Sequence, residues 1–566
     1  MSVQQALLPA ELARLFSRLD PDVDDAALAL IHELASANQA GHVCLPLAQR
    51  PERKALRASA LVGPPGAYAP LILDEAGRLY FARHWFDEAR LAARLSVLAE
   101  PGPAPDAESL RRMLDALFGA AGDATAPDRQ KLAAALAARQ RLMVISGGPG
   151  TGKTTTVVKL LALLAGLSPR PLVMAMAAPT GKAAARLAES VRGARERLAV
   201  DEAALRQLPQ QAQTLHRLLG LRPGAAAPRH HPGNPLPLDV LVVDEASMID
   251  LSLMARTVEA LPSQARLILL GDRDQLASVD AGAVLGDLCA DIHYRPETLD
   301  WLRASCGETL AATPGAGGKL TDCVALLTHS HRFGAASGIG ELARRVNAGD
   351  GPASWAALQD AAWPDVAATP ALDAAEVLAR WQPYWRAVRA GAPLAERQRA
   401  FAGFMLLAAE RRQVDAFNRR IEQQLEADGD KPAGRDWYPG RPVMISENDY
   451  GLGLFNGDIG FAVQREAGLR VAFPGDDGGW REFAPGRLPQ HDTVYAMTVH
   501  KSQGSEFGEV CLQLPDTAGP VLNRALVYTA ITRARDRFIV AGAQAVWEQA
   551  AAAAPPRHSG LADKLK

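Results

Sequence analysis

Gly147-Gly148-Pro149-Gly150-Thr151-Gly152-Lys153-Thr154 brings together what phosphate binding needs: glycines whose backbone N–H groups can converge, a lysine, and a hydroxyl beside it. In this G-x-x-x-x-G-K-[ST] spacing the loop and the following Thr155 cradle the phosphates of a nucleotide. Lys153 reaches the β- and γ-phosphates, and Thr154 offers a ligand to Mg²⁺. Further along, Asp239-Val240-Leu241-Val242-Val243-Asp244-Glu245 is an apolar strand ending in two carboxylates, with Asp244 expected to hold the metal and Glu245 to act as general base. Ile268 to Gln275 repeats that logic, bringing Asp272 to the metal's water shell and Gln275 to the γ-phosphate. Arg332 and Arg533 stand at junctions between sheet and helix, and a planar guanidinium suits a transferring phosphoryl group. Any one of these residues alone would read as a polar turn or a solvated surface. Their order behind the phosphate loop makes them a set.

The elements that must position this set alternate between strand and helix. Residues 142–146 read as a buried strand and Thr155 to Leu164 as a helix, so the loop has the strand–loop–helix context its chemistry requires. Strands at 172–178, 239–244, 266–270 and 323–328, with a helix at 181–191, predict a parallel sheet covered on both faces. A second alternating block follows, with helices at 337–347, 413–425 and 522–533 and strands at 403–408, 493–498, 509–514 and 537–541. Between its strands lie short strand patterns with Gly-rich turns, expected to form a small inserted β-barrel at about 428–490. Residues 1 to about 110 mix helix and strand patterns and end at Pro101-Gly102-Pro103-Ala104-Pro105, which predicts a separate α+β domain. The fold class is therefore α/β, with two P-loop-type domains at 111–335 and 336–566. Pro223 to Pro237 reads as an exposed excursion.

At 566 residues the chain is too long for one core, and 61 basic against 63 acidic residues give a net charge of −2. No global basic field advertises a polyanion, so a nucleic-acid groove must be local. The five cysteines, Cys44, Cys289, Cys306, Cys323 and Cys511, contain no C-x-x-C pair and read as core residues of a reduced protein. Cys289 and His293 could share a helix face, but no further pair with zinc spacing accompanies them. Met1-Ser2-Val3-Gln4-Gln5 lacks the features of a secretory signal, and no apolar run reaches the ~20 residues that span a bilayer, so a soluble cytoplasmic protein without a membrane partner is expected. The alanine-rich runs at 133–138 and 550–556 carry no functional reading.

Taken in order, Gly147 to Thr154, Ala178-Pro179-Thr180-Gly181-Lys182-Ala183, Asp244 to Ser247, Gly271 to Gln275, Thr498 to Phe507 and Tyr528 to Arg535 resemble the helicase motifs of superfamily 1. Leu215-His216-Arg217-Leu218-Leu219-Gly220, Asn448 to Gly460 and Asp492 to Phe507 resemble the RecD branch, as do Gly41 to Leu47 and Tyr80 to Leu95 near the start. The resemblance implies two RecA-like motor domains, an SH3-like inserted barrel, and ATP with Mg²⁺ as cofactors. It implies that Gln130 recognises adenine, that Arg332 and Arg533 reach the γ-phosphate, and that Gly504 and Glu506 contact the nucleotide from the second motor domain. Thr180, Lys182, His216, Thr498 and His500 would line a single-strand DNA path. It further implies 5′-to-3′ movement on the 5′-ended strand at duplex ends, within an exodeoxyribonuclease V heterotrimer with RecB- and RecC-type subunits. Nuclease chemistry would belong to a partner, since no carboxylate-and-lysine cluster stands outside the ATP site.

One departure from a free-standing helicase, the lack of a long N-terminal region of helix-hairpin-helix character, favours a complex subunit. Tyr80, Phe81, Trp85 and Phe86, beside Arg83 and Arg90, read either as a partner-docking core of the first domain or as its own filling. Two other functions stay open, an ATP-binding regulatory subunit without its own unwinding and a helicase working alone.

Overall fold

Strand Leu142–Gly147 is buried along its whole length because helices cover both faces of the sheet it belongs to. The computed structural model describes residues 3–120, 127–198, 201–222, 227–311, 317–334, 336–449, 451–475, 478–554 and 557–566. Met1, Ser2, Pro223 to Ala226 of the expected excursion, and Pro555 and Pro556 lie outside the described residues. The first sheet has six parallel strands in the order Val324–Leu327, Leu142–Gly147, Arg266–Gly271, Val240–Val243, Met174–Ala178, Ala212–Thr214. This arrangement sets the strand that ends in the phosphate loop between two others, so their carboxyl ends open on one edge. Helices Arg129–Arg139 and Lys153–Leu167 pack behind them. Lys131 is buried there as well, its charge met by Asp115 at 2.6 Å.

The second sheet has five parallel strands in the order Val366–Thr369, Ala534–Ala541, Phe507–Gln513, Phe404–Ala408, Ala496–Thr498. Its core holds Trp381, Tyr384, Trp385 and Trp547, brought by helices Gln382–Arg389 and Gln544–Ala552 and the turn before the former, none of which the sequence pattern exposes. A third sheet is antiparallel, in the order Trp480–Phe483, Gly468–Pro474, Ile459–Arg465, Pro442–Ile445, His491–Thr493, packed over Val443, Ile445, Leu454, Val471 and Phe473. The expected strand 493–498 is two strands in two sheets. His491–Thr493 pairs with Pro442–Ile445, and Ala496–Thr498 pairs with Phe404–Ala408. Asn418 closes the gap between them: its amide oxygen accepts from Tyr495 N at 3.0 Å and Ala496 N at 2.9 Å, and its Nδ2 donates to Thr493 O at 2.9 Å.

Helices Val3–Leu19 and Asp25–Gln39 cover a small mixed sheet whose core includes Phe16, Leu30, Ile31, Leu45, Leu71 and Leu79. The first 110 residues have this sheet and core of their own and are joined to the first block through a further helix. Helix Ala82–Leu98 buries Leu91, Leu95 and Leu98 in the same core as Met254 and Val258 of helix Leu251–Glu259. Tyr80 is fully buried, and Trp85 packs against that shared core, so these aromatics are taken within the chain. An apolar helix face in a sequence shows that it must be covered, not by which body. Residues 557–566 also leave the second block and lie here. Val43 N donates to His558 O at 2.8 Å, Arg557 Nη2 to Ser278 O at 2.8 Å, and Lys319 N to Leu565 O at 2.8 Å. All five cysteines are buried and free. Among the described residues no helix is long and apolar enough to cross a membrane.

Candidate nucleotide site

The phosphate loop is shaped by its glycines. Gly150 at φ +75° and Gly152 at φ +80° occupy the left-handed region, where a side chain would be strained. At Gly147 a Cβ would meet Leu327 O at 2.8 Å and Thr151 Oγ1 at 2.7 Å, so only glycine fits beneath the neighbouring strand. Lys153 opens helix Lys153–Leu167 and holds its ammonium over the loop, donating to Gly147 O at 2.6 Å and Gly148 O at 3.1 Å. The loop is braced from two sides. Gln130 Nε2 donates to Thr151 O at 3.0 Å, and Ser330 Oγ donates to Pro149 O at 3.1 Å. Thr155 is exposed at the rim.

Strand Val240–Val243 delivers Asp244 and Glu245 to the same edge. Glu245 sits at φ +51°, a left-handed conformation unusual for a residue with a side chain, and its N–H donates to Asp244 Oδ1 at 2.9 Å. Burial, helped by the neighbouring Glu245 charge, pushes the Asp244 carboxyl up to about 6. Burial raises Asp272 as well, and its Oδ2 accepts from Gln275 Nε2 at 3.2 Å and from Tyr528 Oη at 2.9 Å. Tyr528 comes from the second block.

Arg332, beyond strand Val324–Leu327, donates from Nη2 to Glu506 Oε2 at 2.8 Å, while its Nη1 is buried with no hydrogen-bond partner. Arg186 Nη2 stands 3.3 Å from Glu506 Oε1, and Arg186 Nη1 donates to Gly504 O. Burial pushes Glu506 up, but the charges of Arg186 and Arg332 outweigh it and hold the carboxylate low. Arg533 is 3% exposed and donates to Ser505 O at 3.2 Å and Thr529 O at 3.3 Å. A cavity of about 290 Å³ is lined by the loop from Pro149 to Thr155 together with Asp244, Glu245, Gln275, Arg332, Gly504, Glu506 and Arg533. The expected phosphate, acid and arginine residues are thus gathered in one place. Sequence reasoning missed Arg186 and Tyr528, although Arg186 lies one helical turn past Lys182 on helix Gly181–Arg195 and that spacing could have raised it.

The residues expected along a DNA path are spread more widely. Thr180 caps helix Gly181–Arg195, accepting from Ala183 N at 3.2 Å, and His216 is exposed on the short helix Leu215–Leu219. Thr498 Oγ1 accepts from Lys501 N at 3.4 Å. His500 is half-buried, and burial together with the Arg557 charge lowers its pKa. Lys182 does not face an open surface. Its ammonium donates to Ser505 Oγ at 2.6 Å, and burial pushes its pKa down to about 8.

A family model described as an AAA domain matches residues 130–281, and one described as a UvrD-like helicase C-terminal domain matches residues 493–541. RecBCD enzyme subunit RecD of Mycolicibacterium smegmatis is 40% identical over 551 residues, covering 93% of this chain and 89% of that protein. The subunit of the same name from Haemophilus influenzae is 36% identical, covering 89% of this chain and 82% of its own. The ATP-dependent RecD2 DNA helicase of Deinococcus radiodurans is 33% identical over 76% of this chain, which spans 51% of that longer protein. With the motifs assembled in one cavity and identity sustained over nearly the whole length, the chain belongs to the RecD family of superfamily 1 helicases.

Proposed function

We propose that the chain is the RecD-type motor of a RecBCD-like enzyme: an ATP-dependent DNA helicase that moves 5′-to-3′ along one strand at duplex ends in recombinational repair. The observation that carries this is the composition of one cavity, to which the first block supplies Lys153, Thr154, Asp244, Glu245 and Gln275 and the second supplies Gly504, Glu506 and Arg533. Hydrolysis then depends on how the two blocks meet, as a motor requires. In this reading Lys153 binds the β- and γ-phosphates, Arg332 and Arg533 meet charge developing on the γ-phosphate, Glu245 orients and deprotonates the attacking water, and Gln130 reads adenine. Two observations fit the phosphates: the unpartnered Nη1 of Arg332 at the cavity, and a glycine loop with no room for side chains. The Thr154 hydroxyl and the crowded Asp244 carboxylate form a hard-oxygen pair suited to Mg²⁺, which when bound neutralises phosphate charge.

Thr180, Lys182, His216, Thr498 and His500 are retained as candidates for the strand path, with Lys182 reaching it only by leaving Ser505. Partners of RecB and RecC type are inferred from the names of the relatives. Docking through the first 110 residues has a surface available on helix Val3–Leu19, where Leu7, Leu8, Leu15 and Leu19 are 53%, 48%, 44% and 60% exposed. The inserted sheet pairs its last strand with its first and then runs as a meander, a strand order that supports the SH3-like reading. Five free cysteines support a reducing, cytoplasmic setting. A purely regulatory ATP subunit would not need Lys153, Glu245, Gln275 and Arg533 around one cavity.

The test is ATP hydrolysis by the full chain with and without single-stranded DNA, then strand displacement from duplexes carrying a 5′ or a 3′ tail. Stimulated hydrolysis with unwinding from the 5′ tail is expected. Unwinding confined to the 3′ tail removes the polarity, and hydrolysis indifferent to DNA removes the motor reading.

A further inference from the structure

One guanidinium in the cavity has no role among those assigned above. Arg186 lines the cavity beside Lys153, Asp244 and Glu245. It belongs to the first block, yet its polar contacts are to the second: Nη1 donates to Gly504 O and Nη2 lies 3.3 Å from Glu506 Oε1. From the same helix, Lys182 donates to Ser505 Oγ at 2.6 Å. Two cations one helical turn apart therefore grip three consecutive residues, Gly504, Ser505 and Glu506. Gly504 adopts φ +69° with open space around it, so the backbone, not packing, shapes this turn. The turn in turn holds Arg533, whose Nη1 donates to Ser505 O at 3.2 Å.

Glu506 is shared. Its Oε2 accepts from Arg332 and its Oε1 faces Arg186. Arg332 holds Glu506 with Nη2 and keeps Nη1 unpartnered, so it can meet a phosphate through one amino group while the other keeps the carboxylate. Arg186 has the carbonyl of Gly504 as a second anchor, so it keeps its hold on the turn.

Building on the ATP-hydrolysis reading, we infer that Arg186 is a positioning residue: it fastens the Gly504–Glu506 turn of the second block to the first and so sets Arg533 over the site. It acts through the turn and does not touch the transferring phosphate.

The experiment uses the full chain with Arg186→Gln, Arg186→Lys, Glu506→Gln and the Arg186→Gln/Glu506→Gln pair, reading kcat and KM for ATP with saturating single-stranded DNA, and Tm. The expected result for Arg186→Gln is a kcat lowered roughly tenfold or more with KM changed much less, the signature of lost positioning rather than lost binding. Tm should hold, because the Arg186 side chain is 44% exposed. Arg186→Lys should recover part of kcat, since an ammonium keeps the charge facing Glu506 but lacks the fork whose two amino groups divide between Glu506 and the Gly504 carbonyl. The double variant should be no slower than the slower single one. Wild-type kcat in Arg186→Gln overturns the inference. So do losses that multiply in the double variant, which would mean that Arg186 meets the phosphate directly. Lys153→Gln run alongside separates the two levels: turnover retained there sinks the hydrolysis reading itself, whereas wild-type kcat in Arg186→Gln sinks only the positioning role.

Discussion

The first motor block meets the cavity with the carboxyl ends of its strands, and the second meets it with the amino ends. Gly147 ends a strand of the first sheet and Asp244, Asp272 and Ser330 follow strands of it, whereas Glu506 and Arg533 immediately precede strands Phe507–Gln513 and Ala534–Ala541 of the second. Ligands of open parallel sheets gather at carboxyl edges, and the first block obeys that rule. The second block departs from it: Gly504, Glu506 and Arg533 line the same cavity from the amino ends of its strands and bring charge to the edge that carries the phosphate loop. The two sheets are thus alike in architecture and, in the proposed reading, complementary in use, one as a binding edge and the other as the source of the arginine and glutamate that face it.

The comparison breaks most visibly at the loop. Lys153→Gln should reduce ATP turnover by at least about a thousandfold, since charge on the phosphates loses its fixed counterion. The melting curve should be unchanged, because Lys153 is half-buried and no core volume is lost. Turnover near the wild-type rate would show that the first block is not the binding edge. Across the cleft, Arg533→Lys keeps a positive charge but cannot reach both Ser505 O and Thr529 O, and kcat should fall roughly a hundredfold with KM for ATP changed much less. A matching rise in KM would make Arg533 a ground-state ligand and remove the functional difference between the two edges.

Asp244 sharpens the comparison through pH. An acid whose folded-state pKa is raised, here to about 6, costs stability where it is ionised, so stability falls as pH rises through the range from its ordinary value to about 6. Asp244→Asn should therefore raise Tm at about pH 7.5 and leave it nearly unchanged at about pH 4.5, while abolishing hydrolysis. A Tm shift equal at both pH values would mean that the carboxylate is not strained by its burial and by Glu245. The smallest effect concerns the cross-block bond of Tyr528. Tyr528→Phe removes one hydrogen bond to Asp272, worth about 1 kcal/mol, and should lower kcat/KM roughly fivefold. No change in kcat/KM would show that this contact fastens the blocks without serving the site.

How much of this was legible beforehand follows the same division. Asp244 and Glu245 could be read from local pattern because an apolar strand stops at them, Gln275 because it lies in the polar turn after another, and Lys153 and Thr154 because a glycine-rich loop leads from a strand into the helix that they open. Arg533 could be read from its place at a junction between helix and sheet, whereas Glu506 drew attention only through motif resemblance, since a residue before a strand carries no such mark. Arg186 was missed altogether: on a helix surface an arginine is ordinarily solvated, and only the approach of Gly504 and Glu506 gives it work. In the fold, the split at Val494 and Tyr495 between two sheets was invisible because alternation records burial and not which strand supplies it. Helix Ala82–Leu98 showed an apolar face but not that helix Leu251–Glu259 would cover it.

By itself the sequence determined the local chemistry: a phosphate loop at a strand–helix junction, acids at strand ends, two parallel α/β blocks and reduced core cysteines. Those features depend on residues within a few positions of one another, so spacing encodes them. The tertiary structure alone decided which edge of the second sheet faces the site, that Lys182 and Arg186 grip the Gly504–Glu506 turn, and that residues 557–566 return to fasten the first 110 residues to the first motor block. Each of those depends on pairing between segments hundreds of residues apart, which is set by the balance of burial and charge over the whole chain and leaves no periodic trace in any one segment.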